Sequence, residues 1–450
     1  MWSILYYLRN DPEKLRWNLK ARYMDETLVD KALALDKEWR KLKRTLDEYR
    51  HRLNQLSSKI PKAPPEDRSK LVAEAKELRK TINMLEEQLK RIEEERERVL
   101  RSIPNVIHES VPIGPDETYN KPIRFWGKPR VWRNHVEEFL KQTEGFHVEY
   151  EVIDWRPLGH ADYVEKFGLA DTERAAKVAG ARFYYLFDDA VWLDIALVQY
   201  ALESLAKKGF TIVEPPLMLR EKVLEGVISF EDFRDMVYKI EGEDLYLIGT
   251  AEHPLAALHW KDVIPENDLP LLYAGYSQCF RKEAGAHGKD TKGIFRVHHF
   301  GKVEQFVFSH PDESWEWHEK LIANAEELWQ GLGIPYRIVN IASGDLGVVA
   351  AKKYDLEAWM PAQGKYREMV SCSNCTDWQS YRLNIRFAES RGAPSKGYVH
   401  TLNSTALAIQ RTITAIIENY QDEEGYIHAP RVLRKYLEPY EKFLKRIVLD

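Results

Sequence analysis

Between Leu28 and Ile103, apolar or small side chains recur at alternating steps of four and three. They fall at Leu28, Ala32, Leu35, Trp39, Leu42, Leu46, Tyr49, Leu53, Leu56 and Ile60, and again at Leu71, Ala75, Leu78, Ile82, Leu85, Leu89, Ile92, Val99 and Ile103. Heptads sustained over that distance form the seam of a coiled coil. Arg96 alone interrupts the series. Between the two runs Pro61, Pro64 and Pro65 stop a helix, and Asp67 or Ser69 can cap the next. The pattern predicts two long helices folded back as an antiparallel hairpin over about 27–103. At ~1.5 Å per residue, about thirty residues make an arm of roughly 45 Å. Such an arm has no core beyond its seam and should project from a globular body.

The spacing changes after the second run. Ser102–Glu117 carries three prolines and no helical period, which reads as a linker with the domain boundary near Pro112, dividing the chain into 1–111 and 112–450. Short strand patterns then alternate with helices. Asp188–Lys208 predicts a helix with Val191, Ile195, Val198, Leu202 and Leu205 on one stripe, followed by the strand FTIVEPP. DLYLIGTAEH (Asp244–His253) predicts a strand ending at Thr250, Ala251 and Glu252, where a carboxylate and a hydroxyl can receive an ammonium group. His310–Gly331 reads as a helix, Tyr336–Ile341 as a strand, and His400–Tyr420 as a strand running into a helix near whose start Arg411 can face anions.

The densest chemistry lies in Gln278–Glu304. Arg281 and Glu283 are expected at a strand end. Phe295, Val297 and Phe300–Val303 alternate as a second strand carrying Arg296, with Gly285, Gly288 and Gly293 turning between. Guanidinium forks, carboxylates and a ring on one sheet face suit a polyphosphate and a purine. Glu368 and Ser371, three apart, can present oxygens to one hard cation such as Mg²⁺.

Composition narrows the class. A chain of 450 residues accommodates two or three domains, and 66 basic against 71 acidic residues give a formal charge of −5. Charge is uneven, however. Residues 40–80 carry 13 Lys and Arg against six acids, net +7, whereas Glu86–Glu97 is rich in acids. The outer half of the arm can therefore lie along a phosphate backbone, although a solvated helical surface has the same appearance. Three cysteines argue against a disulfide framework and for a reducing, cytoplasmic setting. Cys372 and Cys375 form the one CxxC, so metal on sulfur is not expected. The opening MWSILYYLRNDPEKLRW lacks a leader pattern, and no apolar run reaches the length of a membrane span.

The order Cys279, Phe280, Arg281, Glu283, Ala284, Gly285, Gly288, Asp290, Thr291, Gly293, Arg296, Val297, His298, Phe300 resembles motif 2 of the class II aminoacyl-tRNA synthetases in its seryl-tRNA synthetase form, with His299 in place of the usual Gln. Asp188–Pro216 resembles motif 1, and Asn403–Arg411 resembles motif 3 with Ser404 where Gly is usual. The resemblance covers nearly the whole chain. It implies an α+β fold: an antiparallel-sheet class II catalytic domain preceded by a helical hairpin that binds serine tRNA. It also implies a homodimer formed through the motif 1 region, with ATP and L-serine as substrates and Mg²⁺ on Glu368 and Ser371.

By the family's pattern, Arg281, Arg296 and Arg411 take phosphates, Phe300 stacks on adenine and Glu283 accepts from its amine. Lys282, Val297, Glu368, Met369, Val370 and Ser371 complete the ATP site. Thr250, Ala251 and Glu252 hold the substrate ammonium group, while Glu304, Asn403 and Thr405 surround its hydroxyl. Serylation of selenocysteine tRNA is a further expectation where that tRNA exists. Two other classes stay open: a paralogue loading an amino acid onto a carrier protein, and a coiled-coil scaffold without activity.

Overall fold

The computed structural model describes residues 2–229, 235–283, 290 and 292–449, so the expected turn glycines Gly285 and Gly288 lie outside the described residues. The chain divides into two compact units, one ending at Val106 and the other beginning at Ile107. The second starts ahead of Pro112 because His108 N donates to Ala351 O at 3.0 Å and Asn340 Nδ2 donates to Ser110 O at 2.8 Å.

The first unit comprises α1 (Ser3–Asn10), α2 (Pro12–Ala21), α3 (Thr27–Lys59) and α4 (Pro65–Ser102). Helices α3 and α4 run antiparallel, with none of the expected seam positions exposed. Leu56, Ala75 and Leu78 form a small core with Tyr49, Leu53, Ile60 and Leu71. Arg50–Glu86 at 2.7 Å and Arg52–Glu74 at 2.5 Å flank the seam. The interruption at Arg96 has a partner: its Nε donates to Asp36 Oδ1 at 2.9 Å, and Arg9 Nε donates to Asp36 Oδ2 at 2.9 Å. Neither Asp67 nor Ser69 caps α4, because the helix starts earlier. Pro64 is the N-cap and Pro65 the first helical residue, a position where a missing N–H leaves nothing unsatisfied.

In the second unit the main sheet among the described residues has eight strands: β1 (Lys121–Trp126), β2 (Thr211–Val213), β3 (Leu271–Phe280), β4 (His299–Ser309), β5 (Tyr336–Asn340), β6 (Lys352–Met360), β7 (Lys365–Asn374) and β8 (His400–Ala408). Their order is β1-β5-β6-β7-β8-β4-β3-β2, antiparallel throughout except where β2 joins β3. Three helices, α5 (Asp189–Lys207), α6 (Ser314–Leu332) and α7 (Ile409–Tyr420), supply apolar side chains to the main core together with Val303, Val307 and Leu402 from the strands. Side chains on a strand alternate between faces. Phe300, Lys302 and Glu304 consequently point to the opposite face, where a second core holds Phe306 and Phe308 against Leu255 and Leu383.

Four local expectations need correction. Phe295, Arg296 and Val297 are not on a strand, since β4 begins at His299; Phe295 and Val297 are nevertheless buried, because the loop folds into the core. The strand before Thr250 is only Tyr246–Leu247, and Glu252 opens a short helix, Glu252–Ala256, instead of ending a strand. The second helix predicted in the body begins at Ser314, after a turn at Pro311–Glu313. Helix α5 is apolar on more than one side. It buries Leu193, Leu197, Ala201 and Leu205, while Val191 and Ile195 of the predicted stripe remain 38% exposed.

Candidate active site

On the face of the sheet opposite α5–α7 lies a cavity of about 360 Å³, within the size range of small-molecule sites. Arg281 reaches it from just past the end of β3, Arg296 from the loop before β4, and Arg411 from the first turn of α7. Guanidinium groups widely separated along the chain thus converge. Arg281 Nε donates to Gly249 O at 3.0 Å, and its guanidinium lies 5.3 Å from the centre of the Phe300 ring. Arg296 Nη1 donates to Glu283 Oε2 at 2.8 Å. Arg411 Nη1 donates to the carbonyl of Glu368 at 3.0 Å, and burial lowers its pKa. Asp290, bound by Arg367 at 2.5 Å, lies 3.7 Å from Arg296 and braces this wall.

Strand register decides which hydroxyls and carboxylates join them. Residues three apart on a regular strand face opposite ways. In β7, however, Glu357 pairs with Glu368 while Leu356 pairs with Val370, so Met369 is an extra residue and both Glu368 and Ser371 open on the cavity. A second irregularity sets Glu304 opposite Thr405 by skipping Ala406 in β8, and Thr405 Oγ1 donates to Glu304 Oε2 at 3.4 Å. Burial works against ionisation of Glu368, yet Arg411, Lys353, Arg281 and Arg296 hold its carboxyl below the ordinary range. Across the β6–β7 register from Ser371 stands Asp355, whose Oδ1 is buried and has no partner among the described residues. This end of the cavity has hard oxygen donors that fit a magnesium ion.

The other end is acidic and closed. Glu252 Oε1 accepts from Gln379 Nε2 at 3.0 Å, and its carboxyl is pushed up to about 7, first by burial and then by Glu304. Burial also raises Glu304, which is 1% exposed. His253 is driven down to about 3 by burial and the nearby Arg281, so its imidazole is neutral.

Thr250, Glu252, Arg281, Glu283, Arg296, Val297, Phe300, Glu304, Glu368, Met369, Ser371, Asn403, Thr405 and Arg411 all line the cavity. Ala251, Lys282 and Val370 do not. Ala251 packs in the second core, Val370 in the main one, and the Lys282 ammonium lies 5.7 Å from the Tyr238 ring centre. Ser404 faces away, opposite Gln305, whose Oε1 accepts from Asn324 of α6. The two cysteines of the CxxC part company. Cys372 Sγ approaches His318 O of α6 at 3.7 Å, whereas Cys375 lines the cavity beside Asn403. Sequence reasoning passed over Lys302, Lys353, His253 and Gln410. Lys302 had a signal, standing two residues before Glu304 on one strand face; the others depend on register and packing.

Comparison with known proteins identifies the family. A model of the seryl-tRNA synthetase N-terminal domain matches residues 5–107, and one of the tRNA synthetase class II core domain (G, H, P, S and T) matches residues 236–420. The serine–tRNA ligase of Archaeoglobus fulgidus is 62% identical over 449 residues, spanning 100% of this chain and 99% of that protein. The crystal structure of seryl-tRNA synthetase from Pyrococcus horikoshii complexed with ATP matches with a TM-score of 0.92 and 54% identity, over 96% of this chain and 98% of that one. The cytoplasmic serine–tRNA ligase of Naegleria fowleri in complex with AMP matches with a TM-score of 0.82 and 39% identity, over 96% and 95% respectively. With the helical hairpin, the antiparallel sheet and full-length relatives in agreement, the chain belongs to the seryl-tRNA synthetase family of class II aminoacyl-tRNA synthetases.

Proposed function

We propose that the protein activates L-serine with ATP to seryl-adenylate, releasing pyrophosphate, and then transfers the seryl group to the 3′ end of serine tRNA, releasing AMP. The observation that carries this reading is the convergence of Arg281, Arg296 and Arg411 on a cavity whose far end holds Glu252, Glu304 and Thr405. Neither step needs a protein nucleophile. The serine carboxylate attacks the α-phosphate, and the barrier falls through positioning and charge stabilisation. Arg281 bridges the α-phosphate and the serine carboxylate, and Arg296 and Arg411 take the outer phosphates.

Phe300 stacks on adenine. Arg296 exchanges Glu283 for phosphate oxygens, which frees that carboxylate for the exocyclic amine. Lys282, Val297, Met369 and Val370 contribute main chain around the base. Glu252 with Thr250 and Ala251 receives the ammonium group, and Glu304, Asn403 and Thr405 receive the hydroxyl. Magnesium held by Glu368 and Ser371 would neutralise charge on the phosphates.

Serine-dependent ATP–pyrophosphate exchange tests the reading. Arg281→Ala should lose at least about 100-fold, the scale for removing a charge-stabilising donor; retention of the parent rate would refute the assignment. The basic arm is the tRNA-binding element, and selenocysteine tRNA is a second acceptor where present, tested by charging a transcript. The exposed Val191, Ile195 and Ile212 within Asp188–Pro216 support a homodimer through that region, which the mass of the protein in solution checks. Among the described residues no helix is long and apolar enough to cross a membrane, and none of the three cysteines is in a disulfide, which suits a cytoplasmic location.

A further inference from the structure

Lys302 lies in the cavity wall on β4, two residues before Glu304 and on the same face. Its side chain is 8% exposed and that of Glu304 1%, with Nζ and Oε2 2.5 Å apart. A lysine buried this far needs a specific partner, because an unpaired charge out of water is strongly unfavourable. It has one. Thr405 Oγ1 donates to the same Oε2. Both contacts of Glu304 among the described residues therefore fall on Oε2, and the side chain lines the cavity.

The ammonium group also stands close enough to Glu252 to oppose the burial and the Glu304 repulsion that favour its protonation. Two carboxylates sharing a closed pocket would otherwise hold a proton between them. An ammonium group is a donor only, so a carboxylate clamped by one presents an acceptor at its other oxygen.

We propose that Lys302 is a specificity-determining positioning residue. By clamping Oε2 it keeps Glu304 an anion with Oε1 facing the amino-acid end of the cavity, so that an O–H donor satisfies the site and a methyl group leaves it unpaired. This rests on the serine-activating function above. An analogue lacking a hydrogen-bonding group is rejected most strongly when the site's own polar group would be stranded. Without the clamp the carboxyl takes up a proton, gains a neutral form, and discriminates less between serine and alanine.

The test uses the full chain and pyrophosphate exchange with serine and with alanine, comparing the parent with Lys302→Met, Lys302→Gln and Lys302→Arg. Lys302→Met should raise the serine KM by about 30-fold or more, as expected for breaking a buried charge pair, while the ATP KM moves by less than about threefold. The serine-over-alanine ratio of kcat/KM should fall by about tenfold or more. Lys302→Arg, which keeps the cation, should recover most of that ratio. Lys302→Gln, equally neutral but polar, gives the same readings if the Met variant is not recovered folded. An unchanged serine KM, or serine and ATP KM rising together, overturns the proposal. If the parent chain itself supports no exchange with serine, the function fails and this assignment with it; exchange by the parent together with indifferent variants sinks the Lys302 assignment alone.

Discussion

Glu252 illustrates how one side chain's surroundings become a pH dependence. Its carboxyl, pushed from the ordinary 4.5 to about 7, must be anionic to receive an ammonium group. The anion gains population as pH rises, so kcat/KM for serine should climb with a limiting unit slope below about pH 6 and level off above about pH 8, since this ratio reports the free enzyme. Glu252→Gln should flatten that limb and lower the ratio. The stability effect has the opposite sign. The folded state holds this proton more tightly than the unfolded chain does, so its contribution is fully present below about 4.5 and is lost as pH rises through about 7. Urea unfolding of the parent and Glu252→Gln at pH 5 and 8 checks it, with the variant losing less on going to the higher pH.

Among the helices, the seam of α3 and α4 carries one polar layer, in which Asp36, 1% exposed, meets Arg96, 5% exposed, and Arg9. Buried ion pairs in a coiled coil specify register more than they add stability, but removing one partner strands the other. Asp36→Ala should destabilise by about 3 kcal/mol, whereas Arg9→Met, Asp36→Leu and Arg96→Leu together, which replace the whole charged group, should be near neutral. Loss of helical circular dichroism on heating measures both. A seam of nineteen apolar positions was readable from spacing, because a helix repeats regardless of what surrounds it. The partner of Arg96 was not, since Asp36 lies sixty positions earlier and meets it only once the hairpin closes. The bulge at Met369 was equally invisible: an extra residue in a strand exists only relative to its neighbour.

Across the whole molecule, charge is segregated. A chain of net −5 concentrates +7 in residues 40–80, and those residues belong to the unit that ends at Val106, while the sheet belongs to the other unit. Binding of tRNA through the arm predicts different salt responses for the two half-reactions. Charging of serine tRNA should fall steeply between about 50 and 200 mM salt through counterion release, while pyrophosphate exchange changes little. A chain lacking residues 30–101 should still form adenylate yet charge tRNA poorly. Equal salt slopes, or full charging by the truncated chain, would remove the arm from recognition.

Periodicity was enough to identify the hairpin, and motif order, through its resemblance to the class II synthetases, pointed to the antiparallel sheet and to the arginines that meet in the cavity, because heptads and short-range motifs are properties of neighbouring residues. Three matters required the folded chain. Thr405 faces Glu304 through a skip at Ala406, Ser371 shares a face with Glu368 through the extra Met369, and Val191 and Ile195 stay at the surface of a helix apolar on two sides. Each depends on which strand or helix lies alongside. That pairing is settled by burial over the whole sheet, since a shift of one residue turns every side chain to the other face.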